Sequence, residues 1–426
     1  MTSQRPVSPF ESIYFVEAAG LPLCDMPAYV ESLVEGRLRP DLMSRALRQL
    51  IDRHPMLRTE VVAGDTGPLL RVRDHVEPPL TVLDGIEDSF AGLINSRPDW
   101  TESMLHAWLL TDGLRSQVVL GVHHGLADGR SAFALLDEFW RLYTGLAAGA
   151  DLASERRETL PEAIDSRLAG AFPADELDAL IDTLVQGADE FKPATLPTEG
   201  VGRADRAIAD RRFVVDRLEF DTATTDAVTA AARARGVTVN SLVTGLVLSA
   251  VRAQLAPEHG PLPMVCGHGV DLRTRLTPQV PLTTVLNCIT GLQTPLSVSP
   301  EDRVEDIGQE VSAQFADALR RRAPERLLLA ALRAGARGTA LPAPVVSYGI
   351  SNVGRIPAHP VPAGTRLLRF GGTANAPGMP PKIGAASFGG HLLVQNEYDS
   401  WTYGTDQMDR LRETLRSSLE ALALPR

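Results

Sequence analysis

The residues best suited to chemistry stand in one run, Val118-Val119-Leu120-Gly121-Val122-His123-His124-Gly125-Leu126-Ala127-Asp128-Gly129. An apolar strand pattern ends in two histidines, then Asp-Gly, then a helix. Successive side chains on a strand point to opposite faces, so one histidine can face a cleft while the other is buried. Imidazole titrates near neutral pH and serves readily as a general base. Asp128 stands where a carboxylate caps the orphan N–H groups of a helix. By themselves these residues also fit plainer roles: a core histidine beside a surface one, and an ordinary N-cap. Metal binding is a third use, but the nearby residues offer no further Cys or Glu ligand, so no metal is expected.

The elements around this run alternate between strand-like and helix-like patterns. Tyr29–Glu35, Leu57–Val62, Pro68–Val72, Leu105–Leu110 and Gln117–Val122 read as strands, the last two joined in a hairpin by Thr111-Asp112-Gly113. Asp41–Asp52 and Ser131–Tyr143 carry helical spacing, and residues 150–187 read as helical and exposed. Gly187–Asp210 lacks periodicity and reads as a linker. Beyond it, Arg212–Phe220, Leu262–Cys266, Leu286–Leu292 and Pro344–Ser351 read as strands. Ile383–Phe388 and His391–Tyr398 form a hairpin through Gly389-Gly390. Ala223–Arg235, Thr238–Leu255 and Thr405–Leu422 read as helices, the second apolar on nearly all sides. With no clean β-α-β beat, the pattern favours an α+β class with two sandwiches over one doubly wound sheet. The expected division is 1–186, a linker at 187–211, and 212–426.

Composition limits the alternatives. With 426 residues, 44% hydrophobic and 22% charged, the chain is globular and long enough for two domains. The net charge of −11 disfavours a broad nucleic-acid surface. Lys192 and Lys382 are the only lysines and neither follows glycine, which excludes a P-loop. Cys24, Cys266 and Cys288 form no C-x-x-C pair. No signal-like segment opens the sequence, and Val237–Val251, broken by Asn240, Ser241 and Thr244, is too short to span a bilayer. The expectation is a cytoplasmic protein without a membrane span. Gly349-Ile350-Ser351-Asn352-Val353 lacks the last glycine of a hydrolase elbow, and Gly267-His268-Gly269 lacks the third glycine of a dinucleotide fingerprint.

The string His-His-x-x-x-Asp-Gly at a strand-to-helix turn resembles the signature of the superfamily of chloramphenicol acetyltransferase and nonribosomal peptide condensation domains. Within it, the chain is most similar to polyketide-associated acyltransferases of the phthiocerol/phthiodiolone dimycocerosyl transferase type. Four further segments carry the resemblance: Arg53-His54-Pro55-Met56-Leu57-Arg58-Thr59; Gly236-Val237-Thr238-Val239-Asn240-Ser241-Leu242; Val270-Asp271-Leu272-Arg273 with Leu286-Asn287; and Val346-Ser347 through Ser351-Asn352-Val353-Gly354. The Asp-Phe-Gly-Trp-Gly motif of many plant-type and condensation relatives is absent, and so is the Pro-Leu-Asn-Gly type segment of wax ester synthases.

The resemblance implies two chloramphenicol-acetyltransferase-like sandwiches in a V, with the active site in a tunnel between them. It also implies acyl transfer from a thioester to a hydroxyl, with His124 as general base and no acyl-enzyme. His124 and Asp128 are then the catalytic pair of the motif, Asp128 being mainly architectural and paired with Arg273. His123 and Gly129 support the turn. Ser351, Asn352 and Asn287 are candidates for oxyanion or substrate contacts. No cofactor is implied beyond the coenzyme A or phosphopantetheine that the donor carries. The implied partners are an acyl-thioester donor, preferably on a carrier protein, and a small alcohol or amine, with the chain acting as a monomer. Two rival readings keep the fold: a free-standing condensation enzyme forming an amide, and a non-catalytic relative that only binds carrier proteins. The arginine-rich stretch Arg320–Arg333 reads as a solvated helix face or as a contact for an acidic carrier.

Overall fold

The computed structural model describes residues 3–15, 23–152, 155–187, 191–199, 212–256, 259–343 and 345–423. The chain forms two compact units. The first comprises residues 1–167, 273–288 and 357–377, and the second comprises 168–272, 289–356 and 378–426. This differs from a single division near residues 187–211, a stretch that lies largely outside the described residues. The physical reason is pairing over long range. The strand Arg366–Thr373 joins the sheet of the first unit beside Pro27–Glu35, and residues 286–288 are held there by buried hydrogen bonds. Helix Ala174–Gln186 instead packs its apolar face on helix Ala323–Ala336 of the second unit.

The first unit is built on a five-stranded sheet in the order Arg366–Thr373, Pro27–Glu35, Arg115–His123, Leu105–Thr111, Leu80–Asp84. All its pairs are antiparallel except the last. Strand alternation places Val118, Leu120 and Val122 in a core shared with helices Pro40–Arg53 and Gly129–Ala147. His123, of opposite parity, emerges on the other face. The strand expected at Leu57–Val62 begins only at Thr59, because Pro55–Arg58 forms a single 3₁₀ turn. Among the described residues, the helical reading of 150–187 reduces to Ile164–Arg167 and Ala174–Gln186, with Pro161 and Pro173 ahead of them.

The second unit carries a six-stranded sheet in the order Ile289–Val298, Leu262–Asp271, Tyr348–Ile356, Lys382–Phe388, His391–Asp399, Phe213–Phe220. Helices Thr222–Ala234, Val239–Arg252 and Thr405–Ala423 bury one face of it. Asp221 and Thr238 cap the first two of these by accepting from the backbone N–H three residues on. Gly389 and Gly390 have φ of +55° and +86°, which suits the tight hairpin expected there. Helices Val239–Arg252 and Val304–Arg320 cross at Gly245 and Gly308, where a Cβ would stand 1.8 Å from the Val304 carbonyl oxygen and 2.0 Å from that of Ser241. Two expected strands are displaced. Leu286–Leu292 becomes Ile289–Val298, because 286–288 bond to the first unit's helix start, and Pro344–Ser351 becomes Tyr348–Ile356. No single helix among the described residues is long and apolar enough to cross a membrane.

Candidate active site

The histidine pair ends the strand Arg115–His123 of the first unit. Its register against Pro27–Glu35 runs to Pro27 opposite His123, and the His124 N–H extends it by donating to the Met26 carbonyl at 2.9 Å. The Leu126 N–H donates to the His123 carbonyl at 2.9 Å and closes the turn. The turn is tight at Gly125, where a Cβ would stand 2.9 Å from Phe15 and Tyr14 atoms and 3.0 Å from His123 Nδ1. At Gly129 a Cβ would meet nothing within 4 Å. The close packing at this turn therefore falls on Gly125 and not on Gly129, the glycine expected to support the turn.

His123 is fully buried. Its ring stacks on Phe15 at 4.3 Å between centroids and meets Trp100 edge-on at 5.1 Å. Its Nδ1 accepts from the Gly125 N–H at 3.1 Å, so the neutral ring carries its proton on Nε2, 3.8 Å from Asp25 Oδ1. Burial pushes the His123 imidazole below its ordinary value, and Asp25 only partly opposes this. The same neighbour holds the Asp25 carboxyl below the usual range. The His123 imidazole thus packs against two aromatic rings and accepts from the N–H of its own turn.

Asp128 is the N-cap of helix Gly129–Ala147. Its Oδ1 accepts from the Ser131 N–H at 2.8 Å. Its Oδ2 accepts from Arg273 Nη1 and, at 2.8 Å, from the Cys288 N–H. Arg273 Nη2 donates to Ser131 Oγ and, at 2.5 Å, to the Leu286 carbonyl. Ser131 Oγ donates to that carbonyl at 2.9 Å. The arrangement joins the helix start to both ends of the segment 273–288. Charge-assisted bonds to a buried carboxylate are strong and hold geometry.

Asn287, expected as a substrate or oxyanion contact, is buried beside His124. Its Nδ2 donates to the His124 carbonyl at 2.8 Å, and its side chain contacts the Tyr14 hydroxyl. The Tyr14 ring lies parallel to the His124 imidazole, with centroids 5.5 Å apart and planes within 5°. Burial raises the Tyr14 hydroxyl above its ordinary value, so it stays protonated. Ser351 and Asn352 belong to the second unit, exposed on the strand Tyr348–Ile356, where Asn352 Oδ1 accepts from the Gly354 N–H at 2.7 Å across a bulge.

Sequence reasoning passed over Tyr14, Phe15, Asp25, Trp100 and Ser131. Only Ser131 carried a local signal, as the residue three after an N-cap. The arginine-rich stretch is largely engaged by acidic side chains. Arg326 meets Glu176, Arg333 and Arg337 meet Asp178, and Arg320 and Arg321 meet Asp317. Among the described residues, no three His, Cys, Asp or Glu side chains cluster as a metal site requires.

The family model for the Condensation domain matches residues 23–159, and that for the phthiocerol/phthiodiolone dimycocerosyl transferase C-terminus matches residues 209–403. The phthiocerol/phthiodiolone dimycocerosyl transferase of Mycobacterium tuberculosis (strain ATCC 25618 / H37Rv) is 25% identical over 291 residues, 66% of this chain and 66% of that protein. The chain thus spans about two thirds of the length of that relative in the match. The protein of the same name from Mycobacterium sp. (strain JLS) is 25% identical over 402 residues, 90% of this chain and 91% of its own. Among solved structures, polyketide synthase associated protein 5 from Mycobacterium tuberculosis superposes with a TM-score of 0.72 at 20% identity, covering 99% of both chains. Trichothecene 15-O-acetyltransferase from Fusarium sporotrichioides superposes at 0.74 with 12% identity, covering 99% of this chain and 96% of its own. These structures define the fold. The chain is thus similar to condensation domains over residues 23–159 and to the C-terminal part of dimycocerosyl transferases over residues 209–403. Over nearly its whole length the likeness is to a protein named phthiocerol/phthiodiolone dimycocerosyl transferase.

Proposed function

We propose that the chain moves an acyl group from a thioester donor to a hydroxyl acceptor, forming an ester, with His124 as general base. The observation that carries this reading is how His124 is held. Its N–H and carbonyl are both tied, its ring is flanked by Tyr14, and the neighbouring Asp128 carboxylate accepts from Arg273, Ser131 and Cys288. Asp128 is thereby committed to architecture, and the proton passes to His124.

The step balances without a covalent enzyme intermediate. His124 takes the acceptor's hydroxyl proton as its oxygen attacks the thioester carbonyl. The tetrahedral intermediate then expels the thiolate, which recovers that proton from His124. A thiol with a pKa of about 8.5 is a good leaving group. A positioned base contributes typically about 10²–10⁴-fold. Ser351 and Asn352 stay candidates for contacts to the oxyanion or substrate. No metal or prosthetic group enters this reading; the donor brings its own coenzyme A or phosphopantetheine. A carrier protein is the preferred donor, because the Condensation match covers residues 23–159. The reading includes a monomer acting in the cytoplasm.

The test is thiol release from acyl-coenzyme A and acyl-carrier-protein panels, with pooled alcohols and amines present or omitted. Acceptor-dependent release that His124→Ala loses supports direct transfer. The product mass separates ester from amide, the chief rival. Equal release by both proteins removes His124 as base, and carrier binding without turnover favours the non-catalytic relative.

A further inference from the structure

Asn287 lies in a segment 163 residues beyond His124, yet its side chain ends on His124's own main chain. The amide nitrogen donates to the His124 carbonyl at 2.8 Å. The same side chain contacts the hydroxyl of Tyr14, whose ring lies parallel to the His124 imidazole. Asn287 is itself fixed on both sides. The preceding Leu286 carbonyl accepts from Arg273 and Ser131, and the following Cys288 N–H donates to Asp128. All five groups are buried. An oxyanion donor must hold its N–H toward the reacting carbonyl. The Asn287 amide is directed instead at the backbone and aromatic neighbour of the base.

We propose that Asn287 is a positioning residue, which with Tyr14 sets the placement of the His124 imidazole. This rests on His124 being the base. The hydrogen bond to its carbonyl fixes the backbone from which the ring projects, and the Tyr14 face limits the ring's rotation. Asp128 and Arg273 hold the strap that carries Asn287. The buried ion pair therefore reaches the base through Asn287 rather than by passing a proton.

Loss of the amide displaces the base, and a displacement of about 1 Å costs on the order of 10²-fold in rate. The experiment compares wild type with Asn287→Ala, Asn287→Asp, Tyr14→Phe and Tyr14→Leu in the full chain. It reads kcat and KM for ester formation and the ring nitrogen signals of ¹⁵N-histidine-labelled protein, with His124→Ala identifying the His124 signal. Asn287→Ala is expected to lower kcat about 10- to 100-fold, with KM within about threefold, and to shift the His124 ring signals and their titration. Tyr14→Phe, which keeps the flanking ring, is expected to retain more rate than Tyr14→Leu. Circular dichroism of each variant excludes misfolding as the cause. A kcat loss with His124 signals unmoved overturns the proposal and makes Asn287 a direct contact to the reacting atoms; unchanged kcat and signals overturn it outright. If His124→Ala stays active while Asn287→Ala still moves the His124 signals, positioning stands and the general-base reading fails.

Discussion

Arg273 and Asp128 are 145 residues apart in the chain and form an ion pair whose side chains are only 1% and 2% exposed. Removing one partner of such a pair strands a buried charge and costs about 3–5 kcal/mol. Arg273→Met and Asp128→Leu are each expected to lose stability on that scale in urea unfolding. The double variant is expected to lose clearly less than the two losses together. Arg273→Lys is not expected to restore the wild type, since one ammonium cannot reproduce the guanidinium's bonds to Asp128, Ser131 and Leu286. Strictly additive losses in the double-mutant cycle would show that the pair is not coupled.

His123 supports the turn by packing and by one hydrogen bond. His123→Ala opens a gap between Phe15 and Trp100, and truncating a buried ring typically costs about 3–5 kcal/mol. His123→Phe keeps the filling but leaves the Gly125 N–H without its acceptor, at about 1–3 kcal/mol. Denaturant midpoints are expected in the order wild type, His123→Phe, His123→Ala. The reverse order of the two variants would contradict a packing role.

Gly→Ala within a helix ordinarily stabilises by about 0.5–1 kcal/mol. Gly245 and Gly308 are expected to do the opposite, because a methyl group at either runs into the backbone of the crossing helix. Overpacking typically costs about 1–3 kcal/mol, occasionally more. Gly335→Ala, in a helix where the new methyl meets nothing within 4 Å, is the control and is expected to be neutral or stabilising. A melting temperature unchanged in Gly245→Ala and Gly308→Ala would refute the close crossing.

His268 donates to or accepts from Thr294 Oγ1 at 2.9 Å, and burial pushes its imidazole down to about 4. Its folded value thus lies below the unfolded value of about 6.5. Between those values the unfolded chain binds the extra proton. Stability from this residue is therefore complete above pH 6.5 and falls as the pH drops toward 4, by up to about 3 kcal/mol. His268→Gln is expected to flatten that part of the stability–pH profile in urea titrations between pH 4 and 7. A profile of unchanged slope would place the titration elsewhere.

Much of this molecule is legible locally. The hairpin Leu105–Thr111 with Arg115–His123, the helix after Asp128 and the final hairpin and helix follow from alternation, caps and turn glycines. The pairing of Asp128 with Arg273 was an implication of resemblance, and the structure brings the two together. The strand Arg366–Thr373 was not foreseen, because its partner Pro27–Glu35 lies more than 330 residues away. Asn287 was a candidate substrate contact by resemblance alone; the bond from its amide to the His124 carbonyl joins segments 163 residues apart and has no local signal.

The sequence alone determined the motif and the turn that bears it, since strand parity, N-capping and glycine placement act over a few residues. Tertiary structure decided which groups surround His124. Tyr14, Asn287 and Arg273 reach the site only through burial and hydrogen bonds between distant segments. Such contacts arise because buried polar groups must find partners, wherever along the chain those partners lie.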